Sequence, residues 1–283
     1  MPPQIEILYG TAWKEDETER LVRRAIEVGF RGIDTACQPK HYNEAGVGAG
    51  IAAALGPRLK RSQLYLQTKF TPLSGQEART VPYDSNASLA SQVAQSATQS
   101  LKNLRTDYLD CLLLHSPLPD PQQTFEVWRA MEQLVDSGVA HQLGISNCSR
   151  LAQLQAICEQ ARVLPAVLQN RFHADNGYDR DLREYCRMRG IVYQSFWTLT
   201  GNPHVLAHPS VHMLARTHGR TPAQILFRYL TQLGIVPLTG TRSAVHMRQD
   251  LAIFDFELSP QERAAIDSVL YPQASQDRRA QPR

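Results

Sequence analysis

Six polar or ionisable residues close apolar runs in this sequence. RGID ends in Asp34, QTK in Lys69, LLLHSP carries His115, GISN carries Ser146 and Asn147, and AVLQ ends in Gln169. A phenol, Tyr42, follows Asp34 within IDTACQPKHY. A carboxylate, an ammonium, an imidazole and a phenol are groups with which side chains move protons and stabilise charge. An Asp at the end of a buried strand costs free energy unless it is paired or used. Singly, each residue has an ordinary explanation. Asp34 suits a helix cap or a structural ion pair, Lys69 a solvated lysine, His115 a hydrogen-bonded core histidine, and Tyr42 a packing residue. Their shared location makes them a set.

Such a set needs a scaffold that gathers strand ends. IEILY near 5–9, RGID at 31–34, LYLQT at 64–68 and YLDCLLL at 108–114 predict four strands. AHQLGI at 140–145, AVLQ at 166–169, GIVYQSF at 190–196 and GIVPL at 234–238 predict four more. Stretches of helical period lie between them, among them DETERLVRRAIEVG, ASLASQVAQSATQSLKNL and TPAQILFRYLTQLG. Several open on Ser, Thr or Asp and close on Gly, as helices do. The last helix is expected within SAVHMRQDLAIF. Alternating strands and helices predict a parallel sheet with right-handed crossovers. Eight such units with no linker predict a closed (β/α)8 TIM barrel, one domain over 1–283 with a polar tail from about residue 272. An open doubly wound sheet usually has fewer strands and often shows a phosphate fingerprint. In a barrel the chemistry sits where strands end, which returns attention to the six residues. The long Pro- and Gly-bearing loop FTPLSGQEARTVPYDSN at 70–86 reads as functional.

Composition narrows the partners. The chain has 283 residues, 42% hydrophobic and 20% charged, with a net charge of +3 and interspersed signs. That balance argues against nucleic acid or a membrane surface as partner. No apolar run approaches a membrane span, and MPPQIEILYG lacks the basic and apolar regions of a secretory signal. Five cysteines without a CxxC pair (Cys37, Cys111, Cys148, Cys158, Cys186) read as reduced thiols of a cytoplasmic protein, with no zinc site. GVGAG at 46–50 lacks the third glycine of a dinucleotide loop and sits inside a helical pattern, so it reads as small residues for close helix packing.

The motifs, taken in order, resemble the aldo-keto reductase family. IDTA followed by YNEAGVGAGI is similar to the segment bearing that family's catalytic Asp and Tyr; LKNLRTDYLDCLLLHSP resembles its fourth-strand signature and GISNCS its nicotinamide-contact loop. GTAWK at 10–14, PAVLQNRFH, TPAQILFRYLTQLGIVPLTG and DLAIFDFELSPQE match in order and spacing, over roughly residues 7–262. The resemblance implies a catalytic tetrad of Asp34, Tyr42, Lys69 and His115. Position 39, where the family has its Tyr, holds Pro39 here; the YNE context assigns the role to Tyr42, with His41 the neighbouring candidate. Reducing a carbonyl leaves negative charge on oxygen, which needs a proton. A free tyrosine has a pKa of about 10, and an adjacent ammonium would make it a better acid. Lys69 would supply that charge, Asp34 would hold Lys69, and His115 would orient the carbonyl or share in proton transfer.

The same resemblance implies a nicotinamide cofactor bound without a Rossmann loop. Ser146, Asn147 and Gln169 would hold its carboxamide. Gln194 stands where the family often stacks a Tyr on the ring, so Ser195, Phe196 or Trp197 would contribute instead. Leu238 stands at the family's basic position in VPLTGTR, and Arg242, His246, Arg248 and Asp250 follow. An Arg at a helix start can grip a 2′-phosphate bidentately, which favours NADPH, with NADH the alternative and Thr239, Gly240, Thr241 and Arg242 as contacts. Trp13, Phe70 and Trp197 lie near strand ends and are expected to line an apolar substrate pocket. The segment after 262 is short, so the pocket is expected to be open. The expected activity is reduction of aldehydes or ketones, by a monomer or weak dimer. The competing reading is a low-turnover nicotinamide-binding regulatory subunit on the same barrel. A hydrolase would want paired carboxylates, and these strand ends offer only Asp34.

Overall fold

A computed structural model describes residues 5–272; the expected tail lies almost wholly outside the described residues. Eight parallel strands form a closed barrel in sequence order. They are β1 (Leu8–Gly10), β2 (Gly32–Asp34), β3 (Tyr65–Phe70), β4 (Cys111–Leu114), β5 (Leu143–Ser146), β6 (Val167–Arg171), β7 (Val192–Phe196) and β8 (Val236–Thr239). Closure comes from β1 against β8, with Leu8 opposite Leu238 and Tyr9 opposite Thr239. Strands β3 and β6 run past the apolar runs that announced them, to Phe70 and Arg171, whereas most strands are shorter than theirs. IEILY, for example, contributes only its last two residues and then Gly10 to β1.

Strand period 2 sorts every side chain to the lumen or to the helix layer. Along β3, Tyr65, Gln67 and Lys69 point inward, while Leu66 and Phe70 join the outer apolar core and Thr68 donates to Glu44 of the preceding helix. At the bottom of the lumen Leu8, Tyr65, Cys111, Leu113, Val167 and Val236 form a small apolar layer. Above it the lumen turns polar, with Asp34, Gln67, Lys69, Gln169 and Gln194 all buried. That alternation places the chemistry.

The outer layer contains α1 (Thr18–Val28), α2 (Glu44–Ala54), α3 (Leu89–Leu104), α4 (Pro121–Asp136), α5 (Leu151–Gln160) and α6 (Arg180–Arg189). It continues with α7 (Pro203–Leu206), α8 (Pro209–His218), α9 (Pro222–Gln232), α10 (Ala244–Leu251) and α11 (Pro260–Leu270). GVGAG lies in α2, where a Cβ on Gly50 would come within 2.6 Å of the Glu19 carbonyl and one on Gly48 would strike the Asn103 carbonyl. Close packing of α2 against its neighbours therefore requires these glycines. Three helices exceed the sequence expectation, α7, α8 and α11. The prolines that make NPHVLAHPSVHMLARTHG look like loop stand in the first turns of α7 and α8, where no N–H is needed. SAVHMRQDLAIF is not the last helix: α11 follows it, opened by a capping box in which Ser259 and Glu262 bond each other's backbone. No helix among the described residues is long and apolar enough to cross a membrane, and the five cysteines are free and buried.

Candidate active site

The polar lumen opens into a cavity of about 1130 Å³. Asp34, at the end of β2, is 3% exposed, and Lys69, near the end of β3, is 1% exposed. Their charged atoms lie 2.7 Å apart, and Lys69 Nζ also donates to the Thr35 carbonyl at 2.8 Å. The same carboxylate oxygen, Asp34 Oδ1, accepts from Gln67 Nε2 at 2.6 Å and from Gln169 Nε2 at 2.9 Å. Both amides also donate to Gln194 Oε1, and Gln194 returns a bond to Gln67 Oε1 at 3.0 Å. A charge this deep is tolerable because its oxygen is saturated with donors.

Tyr42 and His115 face the cavity. Lys69 Nζ is 5.5 Å from the centroid of the Tyr42 ring, and the Tyr42 and His115 rings meet edge to face at 6.0 Å. The structure thus brings the four expected residues together. The direction of the Tyr42 shift corrects the sequence expectation. Burial first, and the Asp34 charge second, push the phenol well above its usual value. His115 is pushed down to about 3 by burial, by Lys69 and by His41, so its imidazole is neutral at physiological pH. Its Nδ1 lies 2.7 Å from Thr71 Oγ1. His41 also lines the cavity and packs on Trp13, ring centroids 3.8 Å apart with the planes tilted by 37°.

Of the expected cofactor contacts, Ser146, Asn147, Gln169, Phe196, Trp197, Leu238, Thr239, Gly240, Thr241, Arg242 and Asp250 line the cavity. Ser146 Oγ donates to the Gln169 carbonyl at 2.8 Å, and Asn147 Nδ2 to the His115 carbonyl at 2.8 Å. Leu238 belongs to the wall that continues the apolar lumen, offering no charge to a phosphate. Arg242 donates to Glu17 at 2.6 Å and to the Trp13 carbonyl at 2.6 Å. Burial pushes the Asp250 carboxyl up to about 6, and Thr239 donates to it at 2.7 Å.

Three expectations fail on geometry. Phe70 is fully buried against Tyr83 in the helix layer, because Lys69 takes the lumen-facing parity and the next residue must point away. Ser195 fails for the same reason: its neighbours Gln194 and Phe196 face inward, and its hydroxyl accepts from Thr198 at 3.0 Å. Arg248 is exposed on α10, whose inner face carries Met247 and Asp250, and it does not line the cavity. Trp13 and Trp197 do line it. Gln194 is committed to the amide cluster below, leaving Phe196 and Trp197 as the aromatic faces of β7.

Sequence reasoning missed Lys14. It is 5% exposed, lines the cavity, and donates to the Gly240 carbonyl; burial and the Arg242 charge lower it to about 8. The signal was its place in GTAWK, just after β1. Backbone strain also collects here. Of the seven non-glycine residues with left-handed φ among the described residues, Trp13 (60°), Asn147 (54°) and Trp197 (60°) line the cavity, as expected where loops are held for function.

Comparison with known proteins gives one answer. The model of the Aldo/keto reductase family matches residues 6–271. An aldo-keto reductase of Mycobacterium sp. (strain JLS) is 32% identical over 255 residues, covering 90% of this chain and 84% of the relative. The crystal structure of an aldo-keto reductase enzyme from a Medee basin deep-sea metagenome library superposes with a TM-score of 0.81 at 26% identity, covering 94% of this chain and 91% of that one. The aldose reductase of Schistosoma japonicum gives 0.77 at 30% identity, with 93% and 87% covered.

Proposed function

The chain belongs to the aldo/keto reductase family, whose members act as oxidoreductases on carbonyls, and from that premise we propose that it reduces aldehydes or ketones with NADPH, Tyr42 giving the proton. The observation that carries this reading is the convergence of Tyr42, Lys69 and His115 on one cavity, with Asp34 behind the lysine.

The cavity residues fit a nicotinamide dinucleotide. Its volume of about 1130 Å³ exceeds the roughly 300–1,000 Å³ of most ligand pockets. Among the described residues Gln169 Oε1 takes no hydrogen bond, although both its donors are spent, so it suits the N–H of a carboxamide beside Ser146 and Asn147. Lys14 and Arg242, on the β1 and β8 side, suit phosphates. When bound, the cofactor supplies the hydride. Everything else falls to the chain.

Neutral His115 suits a hydrogen-bond donor. If the Thr71 hydroxyl donates to Nδ1, the ring proton resides on Nε2, free to meet a carbonyl oxygen. Tyr42 stays protonated throughout the physiological range. It can still give its proton, because the alkoxide formed is about as basic as hydroxide, whose conjugate acid has a pKa of about 15.7. Asp34 and Lys69 keep an ordered charge pair beside the phenol. Gripping a 2′-phosphate requires Arg242 to leave Glu17. Both side chains are about half exposed, and such pairs are worth only about 0–1 kcal/mol, so the exchange is cheap.

The test mixes purified protein with NADPH and a panel of aldehydes and ketones and follows loss of reduced-nicotinamide absorbance. Turnover on at least one carbonyl class is expected. Tight cofactor binding without turnover on any of them would favour the regulatory-subunit reading and refute this one.

A further inference from the structure

Three cations line the cavity besides the histidines: Lys14, Arg171 and Arg242. Lys14 is tied to Gly240, and Arg242 to Glu17 and Trp13. The two acids of the wall are occupied as well, Asp34 by Lys69 and amides, Asp250 by Thr239. Arg171 differs. Among the described residues its guanidinium meets aromatic rings alone, with no hydrogen bond and no ion pair, the Asn176 bond going to its backbone carbonyl. It lies over two aromatic rings, 5.0 Å from the centroid of Trp197 and 5.9 Å from that of Phe196.

Its position is set by the barrel. Arg171 ends β6 two residues beyond Gln169 and pairs in register with Phe196, so it shares the lumen-facing parity of Gln169 and Phe196. Two residues of strand raise it roughly 6–7 Å above the amide layer. The loop below it is pinned, since the Arg171 carbonyl accepts from Asn176 Nδ2 at 2.9 Å. Trp197 is held in left-handed backbone, and its carbonyl accepts from Gly201 N at 2.7 Å. An arginine stacked on fixed rings keeps its planar fork of N–H donors pre-organised, and a carboxylate matches that fork with two parallel bonds.

We propose that Arg171 is the specificity residue for a substrate carboxylate, so that the preferred substrates are aldehydes bearing a carboxylate at the end remote from the carbonyl. The proposal rests on the reductase reading and deepens it. A charged oxygen pair bound at the lip, one layer above the amides, leaves the carbonyl directed down toward Tyr42 and His115. A 2-oxo acid, with its carboxylate adjacent to the carbonyl, cannot satisfy both ends. The guanidinium does not touch the reacting atoms, so its effect belongs in KM and leaves kcat near its wild-type value.

Two measurements decide it. In the first, kcat and KM are determined for 4-carboxybenzaldehyde and for benzaldehyde with wild type, Arg171→Gln and Arg171→Lys. Wild type should favour the carboxylated aldehyde; Arg171→Gln should lower that preference roughly 10- to 100-fold, through KM, with benzaldehyde kinetics unchanged, and Arg171→Lys should retain part of it. In the second, the NADP⁺ complex is titrated with 4-methylbenzoate and with uncharged 4-methylbenzamide, read by the fluorescence of Trp197 beside the guanidinium. The benzoate should bind at least ten-fold tighter, a difference that Arg171→Gln abolishes. An unchanged carboxylate preference in Arg171→Gln overturns the proposal. So does a raised KM for NADPH with benzaldehyde and no change in preference, which would assign the guanidinium to cofactor phosphates. If wild type reduces neither aldehyde, the reductase reading is decided by the wider carbonyl panel, and the benzoate and benzamide titrations still decide whether Arg171 binds carboxylates: equal binding of the two overturns the proposal.

Discussion

Asp34 and Lys69 form the charge pair on which the site is built, and a double-mutant cycle measures what it is worth. At 2.7 Å and an effective dielectric of 20, opposite unit charges attract by about 6 kcal/mol, against a desolvation cost of several kcal/mol per ion. The intact pair therefore adds little net stability, whereas removing one partner from such a pair costs about 3–5 kcal/mol. The neighbours predict which end of that range applies. Lys69→Met leaves Asp34 with two amide donors, from Gln67 and Gln169, and should fall near the lower end. Asp34→Asn leaves a buried ammonium whose remaining charged-state partner is the Thr35 carbonyl, and should fall near the upper end. The double variant removes both charges and should lie within about 1–2 kcal/mol of wild type. Urea unfolding of the cofactor-free protein, followed by circular dichroism, gives all four corners. Additive single effects, or an Asp34→Asn variant as stable as wild type, would refute the buried pair as the organising charge of the lumen.

Other outcomes follow from the same geometry. Because His115 is shifted to about 3, kcat/KM for carbonyl reduction should show no inflection near 6.5; a histidine-like limb there would contradict the neutral imidazole. Alcohol oxidation needs the phenolate, and a raised Tyr42 value moves its alkaline limb to higher pH, so the rate should climb past pH 10, the ordinary tyrosine value, without a plateau. Glu17→Gln frees Arg242 and should lower KM for NADPH by up to about five-fold, and Arg242→Ala should raise it while leaving NADH kinetics alone. Steady-state kinetics with both cofactors checks this pair, and equal use of NADPH and NADH by wild type would contradict it. Thr71→Val removes the hydroxyl at His115 Nδ1 and should lower kcat without raising KM for NADPH.

Most of the fold was legible because eight apolar runs, each followed by helical period, leave a barrel as the economical arrangement. What escaped was local. The segments of α7 and α8 hide behind prolines that helices accept in their first turns, and α11 was announced by SPQE, a capping box read only as a family match. At the site, strand parity explains successes and failures together. Asp34, Lys69, His115, Ser146 and Gln169 share the inward phase, and applying that phase strictly would have rejected Phe70 and Ser195 and drawn attention to Arg171. The direction of the Tyr42 shift was not legible, because it depends on how deeply the fold buries the phenol and on how close it brings Asp34. Nor was the Glu17–Arg242 pair, which joins residues from opposite ends of the chain.

The central claim is that Tyr42 delivers the proton, and substitution at that position tests it most directly. A positioned general acid contributes roughly 10²- to 10⁴-fold, so Tyr42→Phe should lose at least that much of kcat for carbonyl reduction while binding NADPH as wild type does, and His41→Ala should keep most of its activity. A Tyr42→Phe enzyme that turns over normally, beside a His41→Ala enzyme that does not, would contradict the account.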